Sequence, residues 1–268
     1  MLVAAKQSRY AQIIETIFTD NYREGMTQID FVREDIPLVA ERLGITLPKN
    51  LGDVIYSMKY RTALPTTVIE TERDGLHWAI RSTGRSKYRL ILGPPAMIRP
   101  TELLSETKVP DSTPGLISMY AQGDEQALLA RLRYNRLIDI FTGITCYSLQ
   151  NHLRTYVADF GQVETDELYV GVDRRGAHYV IPVQAKGGTD TLNVVQIEQD
   201  MALCREKFPS LICKLIAAQF MDKDLIALFE FEESDTGASL IRERHYRLMP
   251  PEKMSPEDLA VYRARTDD

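Results

Sequence analysis

The sequence predicts an α/β fold with a mixed sheet, preceded by a smaller helical region that carries a β-ribbon. Three observations predict this arrangement. Apolar residues recur at helical spacing in both halves, a hairpin rich in β-branched and aromatic residues occupies 163–188, and a proline-rich stretch separates the halves. With 268 residues, the chain is long enough for two ordinary domains.

Composition limits the class of protein. The chain is 44% hydrophobic and 26% charged, which is typical of a soluble globular protein. No run of 18 apolar residues occurs, so no membrane span is expected. The three cysteines, Cys146, Cys204 and Cys213, are odd in number and lack metal-site spacing, which favours reduced thiols in a cytoplasmic protein.

Several enzyme classes lack their signatures. The four histidines are widely separated, so a zinc site is not expected. No serine lies in a Gly-x-Ser-x-Gly elbow and no Walker-type glycine loop exists, which argues against an α/β-hydrolase and against ATP-dependent chemistry.

The first region, residues 1–95, shows three helical patterns followed by three strand-like arms. The helices are predicted at about 8–19, 36–43 and 50–60, and the arms at 67–72, 76–81 and 87–92. Gly44 supplies a stop for the second helix, and Gly75 and Gly84 mark turns between the arms.

Two helices joined by a short glycine-containing turn and followed by a β-ribbon resemble a winged helix-turn-helix. That resemblance implies a second helix in the DNA major groove and a wing that contacts phosphates. The basic residues that would bind DNA flank the third helix and the wing: Lys49, Lys59, Arg61, Arg85 and Lys87. The alternative is a small helical packing domain with a solvated basic edge.

Net charge gives a mixed indication about nucleic acid. The whole chain carries −6, whereas DNA-binding domains are usually basic. Residues 1–95 hold 13 Lys plus Arg against 11 Asp plus Glu, so this region is +2 and the remainder −8. A local basic groove is compatible with acidic metal ligands elsewhere.

A proline-rich stretch without periodicity predicts a connector at 96–118. The second domain, 119–268, begins with a helix predicted at 124–142 and a helix-to-strand transition at 147–159. The hairpin follows, then a helix at 193–207, strands at 211–220 and 225–232, and a short last helix capped by Ser255.

The hairpin carries the candidate chemistry. Side chains alternate faces along a strand, so Gln184 and Lys186 share one side of the second arm, and Glu164 and Asp166 share one side of the first. An acidic pair opposite Gln-x-Lys is suited to binding a divalent cation, and the lysine would then lie beside a bound phosphate. The alternative is an ordinary cross-strand ion pair between Asp166 and Lys186.

These residues, within roughly 120–232, resemble the core of the PD-(D/E)xK nuclease superfamily, the restriction-endonuclease-like fold. That family has an Asp on its second core strand and acid-x-Lys on its third, so Asp166 and Lys186 match. Gln184 stands where the family usually has Glu or Asp, and Thr165 replaces the proline commonly found before the Asp.

The resemblance implies that Mg²⁺ or Mn²⁺ is held by Asp166, the Gln184 side-chain oxygen and the Ala185 carbonyl, with Lys186 orienting water. Because Gln184 lacks a charge, metal binding would need a second carboxylate nearby, and Glu125 and Glu164 are equal candidates for it. Gln196 and Gln199, one helical turn apart on the following helix, are candidates for substrate contact or for a solvated face.

The resulting expectation is a Mg²⁺-dependent DNA endonuclease of the type II restriction class that cleaves double-stranded DNA as a homodimer. A gene for a cognate DNA methyltransferase is expected nearby. Two alternatives stay open: a DNA-binding regulator with a degenerate nuclease-like domain, and a structure-specific, repair or RNA-directed nuclease of the same fold. No membrane partner is expected.

Overall fold

The computed structural model describes residues 8–60, 62–94, 97–120, 125–158, 160–187, 190–234 and 237–265. Within them the mixed α/β class is confirmed. The chain forms two compact units: one comprises residues up to Met97 together with Tyr156–Val163, and the other comprises Ile98–Thr155 and the residues from Glu164 onward. None of the described helices combines the length and hydrophobicity that a bilayer span requires.

The first unit has four helices and a three-stranded antiparallel sheet among its described residues, with strand order β1-β3-β2. In chain order its elements are α1 (Arg9–Asn21), β1 (Gln28–Val32), α2 (Asp35–Leu43), α3 (Gly52–Tyr60), α4 (Thr66–Ile69), β2 (His77–Gly84) and β3 (Lys87–Gly93). Ile13, Ile14 and Phe18 of α1 form the centre of its core with Trp78. The helical stripes of the sequence therefore become one buried core.

One predicted strand of this unit is wrong. The arm expected at 67–72 is the short helix α4, although its residues Thr66-Thr67-Val68-Ile69 are β-branched. Pro65 begins the turn by accepting the amides of Val68 and Ile69, and Val68 is buried in the core. Burial of Val68 on a helical turn therefore outweighs the weak strand preference of the local sequence.

The second unit contains the larger sheet, except for the parts of two of its strands that lie in Tyr156–Val163. Its elements are β4 (Met97–Ile98, at the unit boundary), β5 (Glu106–Pro110), α5 (Gly115–Tyr120), α6 (Glu125–Tyr134), α7 (Leu137–Thr142), β6 (Thr145–Val157), β7 (Gly161–Val172), β8 (His178–Lys186), β9 (Leu192–Asn193), α8 (Val194–Lys207), β10 (Ile212–Cys213), β11 (Leu215–Asp222), β12 (Leu225–Ser234), β13 (Gly237–Met249), a 3₁₀ turn (Pro251–Lys253) and α9 (Pro256–Ala264).

The order of the main strands is β5-β13-β12-β11-β8-β7-β6, and β10 also pairs with β8. Strand β8 is antiparallel to β7 and parallel to β11, so the sheet is mixed. One face packs against α6 and α7 through a core that includes Leu132 and Val183. The other face packs against α8 through a core that includes Ile197 and Ala217. Strand β8 is covered on both faces, which explains its almost unbroken apolar run.

Three further expectations for this region are corrected. Part of the expected connector is the strand β5, which pairs in parallel with β13. The helix predicted at 124–142 is divided into α6 and α7, because Arg136 takes a left-handed conformation with φ 52°. Residue 124 itself lies outside the described residues. The segment 147–159 holds no helix in its described part, since β6 continues to Val157.

A tight approach between chain segments gives a stability prediction at Gly171 in β7. A Cβ there would lie 2.6 Å from Cγ2 of Ile144 and 3.2 Å from the carbonyl oxygen of Thr145. We expect Gly171→Ala to lower the free energy of unfolding by about 1–3 kcal/mol, because an added methyl overpacks this site. Urea denaturation measures the change. Gly93→Ala is the control, since a Cβ there meets no atom within 4 Å; equal losses in both variants would contradict the crowding explanation.

Candidate functional site

The β7–β8 hairpin brings Asp166 beside the Gln184–Lys186 segment. A polar turn sets its register: Asp173 accepts the amides of Arg175 and Ala177, and these bonds hold the pKa of that carboxyl down at about 2. The ladder runs from Val172–His178 to Glu167–Val183, and Asp166 and Gln184 are the next positions along the two strands. The Ala185 amide donates a 2.8 Å hydrogen bond to Oδ2 of Asp166.

Lys186 and Glu125 join Asp166 in one electrostatic neighbourhood. The Lys186 ammonium lies 2.7 Å from Oε1 of Glu125, the first residue of α6. Burial raises the pKa of Asp166; Lys186, the Ala185 amide and His152 oppose that rise, and Glu125 adds to it. The Lys186 ammonium therefore bridges to Glu125 and also acts electrostatically on the buried carboxyl of Asp166.

Gln184 belongs to a buried polar network centred on Asp200 of α8. Its Nε2 donates to Oδ2 of Asp200 at 2.9 Å and to the carbonyl oxygen of Glu164 at 3.1 Å. Gln196 donates to Oε1 of Gln184 at 3.3 Å, and the Thr165 hydroxyl donates to the second oxygen of Asp200. Gln184, which carries no charge, is therefore in direct contact with the carboxyl group of a residue from another element.

Burial dominates the acidity of Asp200. It raises the pKa of Asp200 to about 8, opposed by hydrogen bonds from Thr165 and Gln184 and reinforced by the charge of Asp166. The group is therefore largely protonated in the folded protein at neutral pH. Asp200 is not among the site residues predicted from the sequence, although it lies four residues after Gln196 and so on the same helix face.

The two candidate helper acids have different surroundings. Glu125 bridges to Lys186, as described above. Glu164 instead directs its carboxylate to Arg154 at 3.0 Å and to His152 at 3.8 Å, and its side chain is 37% exposed. Glu125 therefore lies near Asp166 and Lys186, whereas Glu164 is paired with Arg154 and His152.

The expected DNA-binding residues do not all reach solvent. Lys49, Arg85 and Lys87 are exposed, the last two at the β2–β3 turn. The expectation that Lys59 is a surface residue available to DNA is wrong. Its side chain is buried, with only 8% of the residue exposed, and its ammonium donates to the hydroxyl of Ser82 at 3.2 Å. It follows buried Ile55 by four residues and so points to the core side of α3. Arg61 lies outside the described residues.

No group of three or more His, Cys, Asp or Glu side chains is placed to hold a metal ion among the residues that the structure describes. Gln184 is also oriented by its bonds to Asp200 and Gln196. In comparisons with known proteins, no protein-family model, curated protein or solved structure matches the chain.

Proposed function

We propose that this protein is a Mg²⁺-dependent DNA endonuclease of the type II restriction class, with a PD-(D/E)xK-like catalytic unit. The observation that carries the proposal is the placement of Asp166, Lys186 and Glu125 around the paired segments of β7 and β8, with Asp200 behind Gln184. The order α6-α7-β6-β7-β8-β9-α8-β10-β11 supports the proposal, because the nuclease core is expected to have a helix, three strands, a helix and further strands, to which this order adds the helix α7 and the two-residue strand β9.

The donor set suits a hard divalent cation. Asp166 and Asp200 are buried carboxylates on neighbouring elements, and burial raises the pKa of both. A cation beside them offsets the cost of ionising them, and Mg²⁺ prefers such oxygen ligands. Asp166 is the principal candidate ligand, and the Ala185 carbonyl and the Gln184 side-chain oxygen complete the proposed set. When bound, the ion would neutralise charge on the phosphate and make a bound water more acidic.

The chain's own residues supply positioning and charge. Lys186 is held at the site by Glu125, and in the proposed reaction its ammonium would stabilise the charge that a phosphate gains in the transition state. The Ala185 amide fixes one oxygen of Asp166, which restricts the carboxylate to one direction. Asp200 would supply the second carboxylate of the proposed site, because Gln184 carries no charge and a bound cation would favour the ionised form of Asp200.

The direct test is incubation of supercoiled plasmid with the full-length protein in Mg²⁺ and in EDTA. Cleavage in Mg²⁺ alone is expected. Comparing plasmid with branched DNA and with RNA separates restriction-type cleavage from a structure-specific or RNA-directed nuclease. Cutting both strands at one site requires two active centres, so the proposal includes a homodimer, which analytical ultracentrifugation tests. A DNA methyltransferase gene beside this one would agree with the restriction setting.

A second candidate function is a DNA-binding regulator with a degenerate nuclease-like unit. Gln184 in the acidic position favours it, together with the pKa of about 8 that leaves Asp200 mostly neutral. DNA binding in both Mg²⁺ and EDTA, with cleavage in neither, would establish this function instead.

The first unit is proposed to bind duplex DNA as a winged helix. Its order α1-β1-α2-α3-α4-β2-β3 supports that assignment: α2 and α3 form the helix pair, and β2 and β3 form a wing that carries exposed Arg85 and Lys87. The exposed face of α3 includes Tyr56, which would face the groove.

This proposal predicts a salt-dependent effect of the basic residues. The triple variant Lys49→Ala, Arg85→Ala, Lys87→Ala should weaken DNA binding by the full-length protein on all sequences. It should also reduce the slope of log K against log salt by about 1 for each phosphate that a side chain no longer neutralises. Fluorescence anisotropy at several salt concentrations measures both quantities.

The matched control removes three exposed positive charges elsewhere, with Arg205→Ala, Lys207→Ala and Lys253→Ala. It should change the salt slope little. If the two triple variants bind alike, the basic residues of the first unit do not form the DNA surface.

A further inference from the structure

The carboxylate of Glu164 on β7 contacts two basic side chains of β6. Nε of Arg154 lies 3.0 Å from Oε1 of Glu164, and Nδ1 of His152 lies 3.8 Å from the same oxygen. Nε2 of His152 also contacts the side-chain amide nitrogen of Gln126 on α6, at 2.7 Å. The three elements α6, β6 and β7 therefore meet in one polar cluster of the second unit.

Two contacts connect this cluster to the Asp166–Lys186 site. Gln126 directly follows Glu125, whose carboxylate lies 2.7 Å from the Lys186 ammonium. The backbone carbonyl of Glu164 accepts a 3.1 Å hydrogen bond from Gln184. The cluster is therefore next to residues that the proposed reaction uses.

The basic side chains along this border differ in exposure. The side chain of Lys186 is 13% exposed, that of His152 47% and that of Arg154 65%. Basic groups thus extend from the buried edge of the site to solvent, although residues 96–268 together carry a charge of −8. A DNA strand that enters the site would need such a local surface, because the rest of the acidic unit repels its phosphates.

The guanidinium of Arg154 keeps donors for a ligand. Among the residues that the structure describes, its partner is Glu164, and the closest contact is made by Nε. A guanidinium has five N–H donors in a planar fork, and one carboxylate accepts about two of them. Donors on the exposed side of Arg154 therefore stay available, in the geometry that suits the oxygens of a phosphate.

We propose that Arg154, held in place by Glu164, binds a backbone phosphate of DNA beside the phosphate that is cleaved. The inference rests on the proposed function for the identity of this ligand, and it gives the second unit a DNA contact of its own. Glu164 is then a positioning residue for Arg154 and not a metal ligand. Its negative charge opposes the incoming phosphate, so the two side chains have opposite effects on affinity.

The first test is binding of a fluorescent DNA duplex to the full-length protein in EDTA, measured by anisotropy at several salt concentrations. Arg154→Ala should raise Kd about 10-fold, because a hydrogen bond between charged groups is lost. It should also lower the slope of log K against log salt by about 1, the value for one phosphate contact. Arg154→Lys should keep the slope but not the full affinity, since its charge lacks the planar fork.

Glu164→Gln tests the positioning role by the sign of its effect. Glutamine can still accept a hydrogen bond from Arg154 through its side-chain oxygen, but it carries no charge. DNA should therefore bind about 2–5-fold more tightly in EDTA, the size expected for removing one exposed repulsive charge. Loss of Mg²⁺-dependent cleavage in this variant, with Kd in EDTA at the wild-type value, would show a metal ligand and contradict the positioning role.

The matched control is a second exposed Arg–Glu pair. Arg205 on α8 and Glu233 on β12 have side chains that are 62% and 60% exposed. Arg205→Ala and Glu233→Gln should change Kd little. Equal losses of affinity in Arg154→Ala and Arg205→Ala would overturn the site, because net charge alone would then account for them. Thermal melting checks that each variant is folded.

The outcomes for this site and for the endonuclease are separate. Plasmid cleavage by the wild type, with unchanged DNA binding by Arg154→Ala, rejects the phosphate site and leaves the endonuclease proposal intact. Weaker binding by Arg154→Ala, with no cleavage by the wild type, supports the site in a DNA-binding protein that is not a nuclease. A wild-type protein that binds no duplex at low salt contradicts the phosphate site directly.

Discussion

If the proposed endonuclease activity holds, replacing Asp166 by asparagine is expected to reduce Mg²⁺-dependent cleavage by about 10³-fold or more, because it removes the carboxylate that would be the principal metal ligand. Asparagine can still accept the Ala185 amide through its side-chain oxygen, so the hairpin should keep its geometry. Plasmid cleavage and DNA binding are measured together, and binding should be retained.

Lys186→Met is the partner experiment. It removes the ammonium that Glu125 holds at 2.7 Å, and should lower cleavage by about 10²–10³-fold, the cost typical of losing one electrostatic stabiliser. Glu232→Gln is the matched control: it removes an exposed charge from β12 and should leave the rate unchanged. If the Asp166 and Lys186 variants both cut at the wild-type rate, the hairpin is scaffold and the endonuclease proposal fails.

Asp200→Asn is expected to abolish cleavage while making the folded protein more stable at high pH. The folded-state pKa is about 8, well above the value of an exposed aspartate. The stability that goes with a protonated Asp200 is fully present below the unfolded pKa, near 4, and is lost as pH rises toward 8. A fully buried group of this kind loses up to about 1.4 kcal/mol per pH unit in that window.

Asparagine at position 200 does not ionise, and its side chain has nearly the same shape as that of aspartate. Its oxygen can accept from Gln184, and its amide can donate to the Thr165 hydroxyl. Urea denaturation in EDTA at pH 5, 6, 7 and 8 should therefore show a flatter profile for the variant, with its advantage over the wild type largest at pH 8. The charged group that faces Asp200 is Asp166, so the measurement is repeated in the Asp166→Asn background.

A charge exchange tests whether Asp200 supplies the carboxylate that the proposed site lacks at Gln184. In Gln184→Glu with Asp200→Asn, the carboxylate moves from α8 to β8 within one hydrogen-bonded pair. Cleavage should return in the double variant after its loss in Asp200→Asn alone. A double variant as inactive as the single one, with both folded, would show that Asp200 has only a structural role in this network.

Local patterns account for much of this site. Period-two alternation and a short polar turn fix the register of β7 and β8, so the neighbourhood of Asp166 and the Gln184–Lys186 segment follows from the sequence. The same applies to the amphipathic helices α1 and α2, whose apolar faces pack on the core of the first unit, and to the Ser255 capping box of α9.

Other features depend on contacts between residues far apart in the chain. The sequence left Glu125 and Glu164 as equal candidates; the packing of α6 places Glu125 on Lys186, whereas β6 supplies Arg154 to Glu164. Lys59 looked like a surface base, but the rotation of α3 against its core buries it beside Ser82.

The mixed α/β class and the Asp166–Lys186 hairpin could be predicted from the residues alone, because alternation and turn chemistry act over a few positions. Two other features could not: Asp200 contacts Gln184, and β5 joins the sheet beside β13. Those neighbours are set by how α8 and the edge strand pack on the sheet, and such non-local packing leaves no periodic signal in a single sequence.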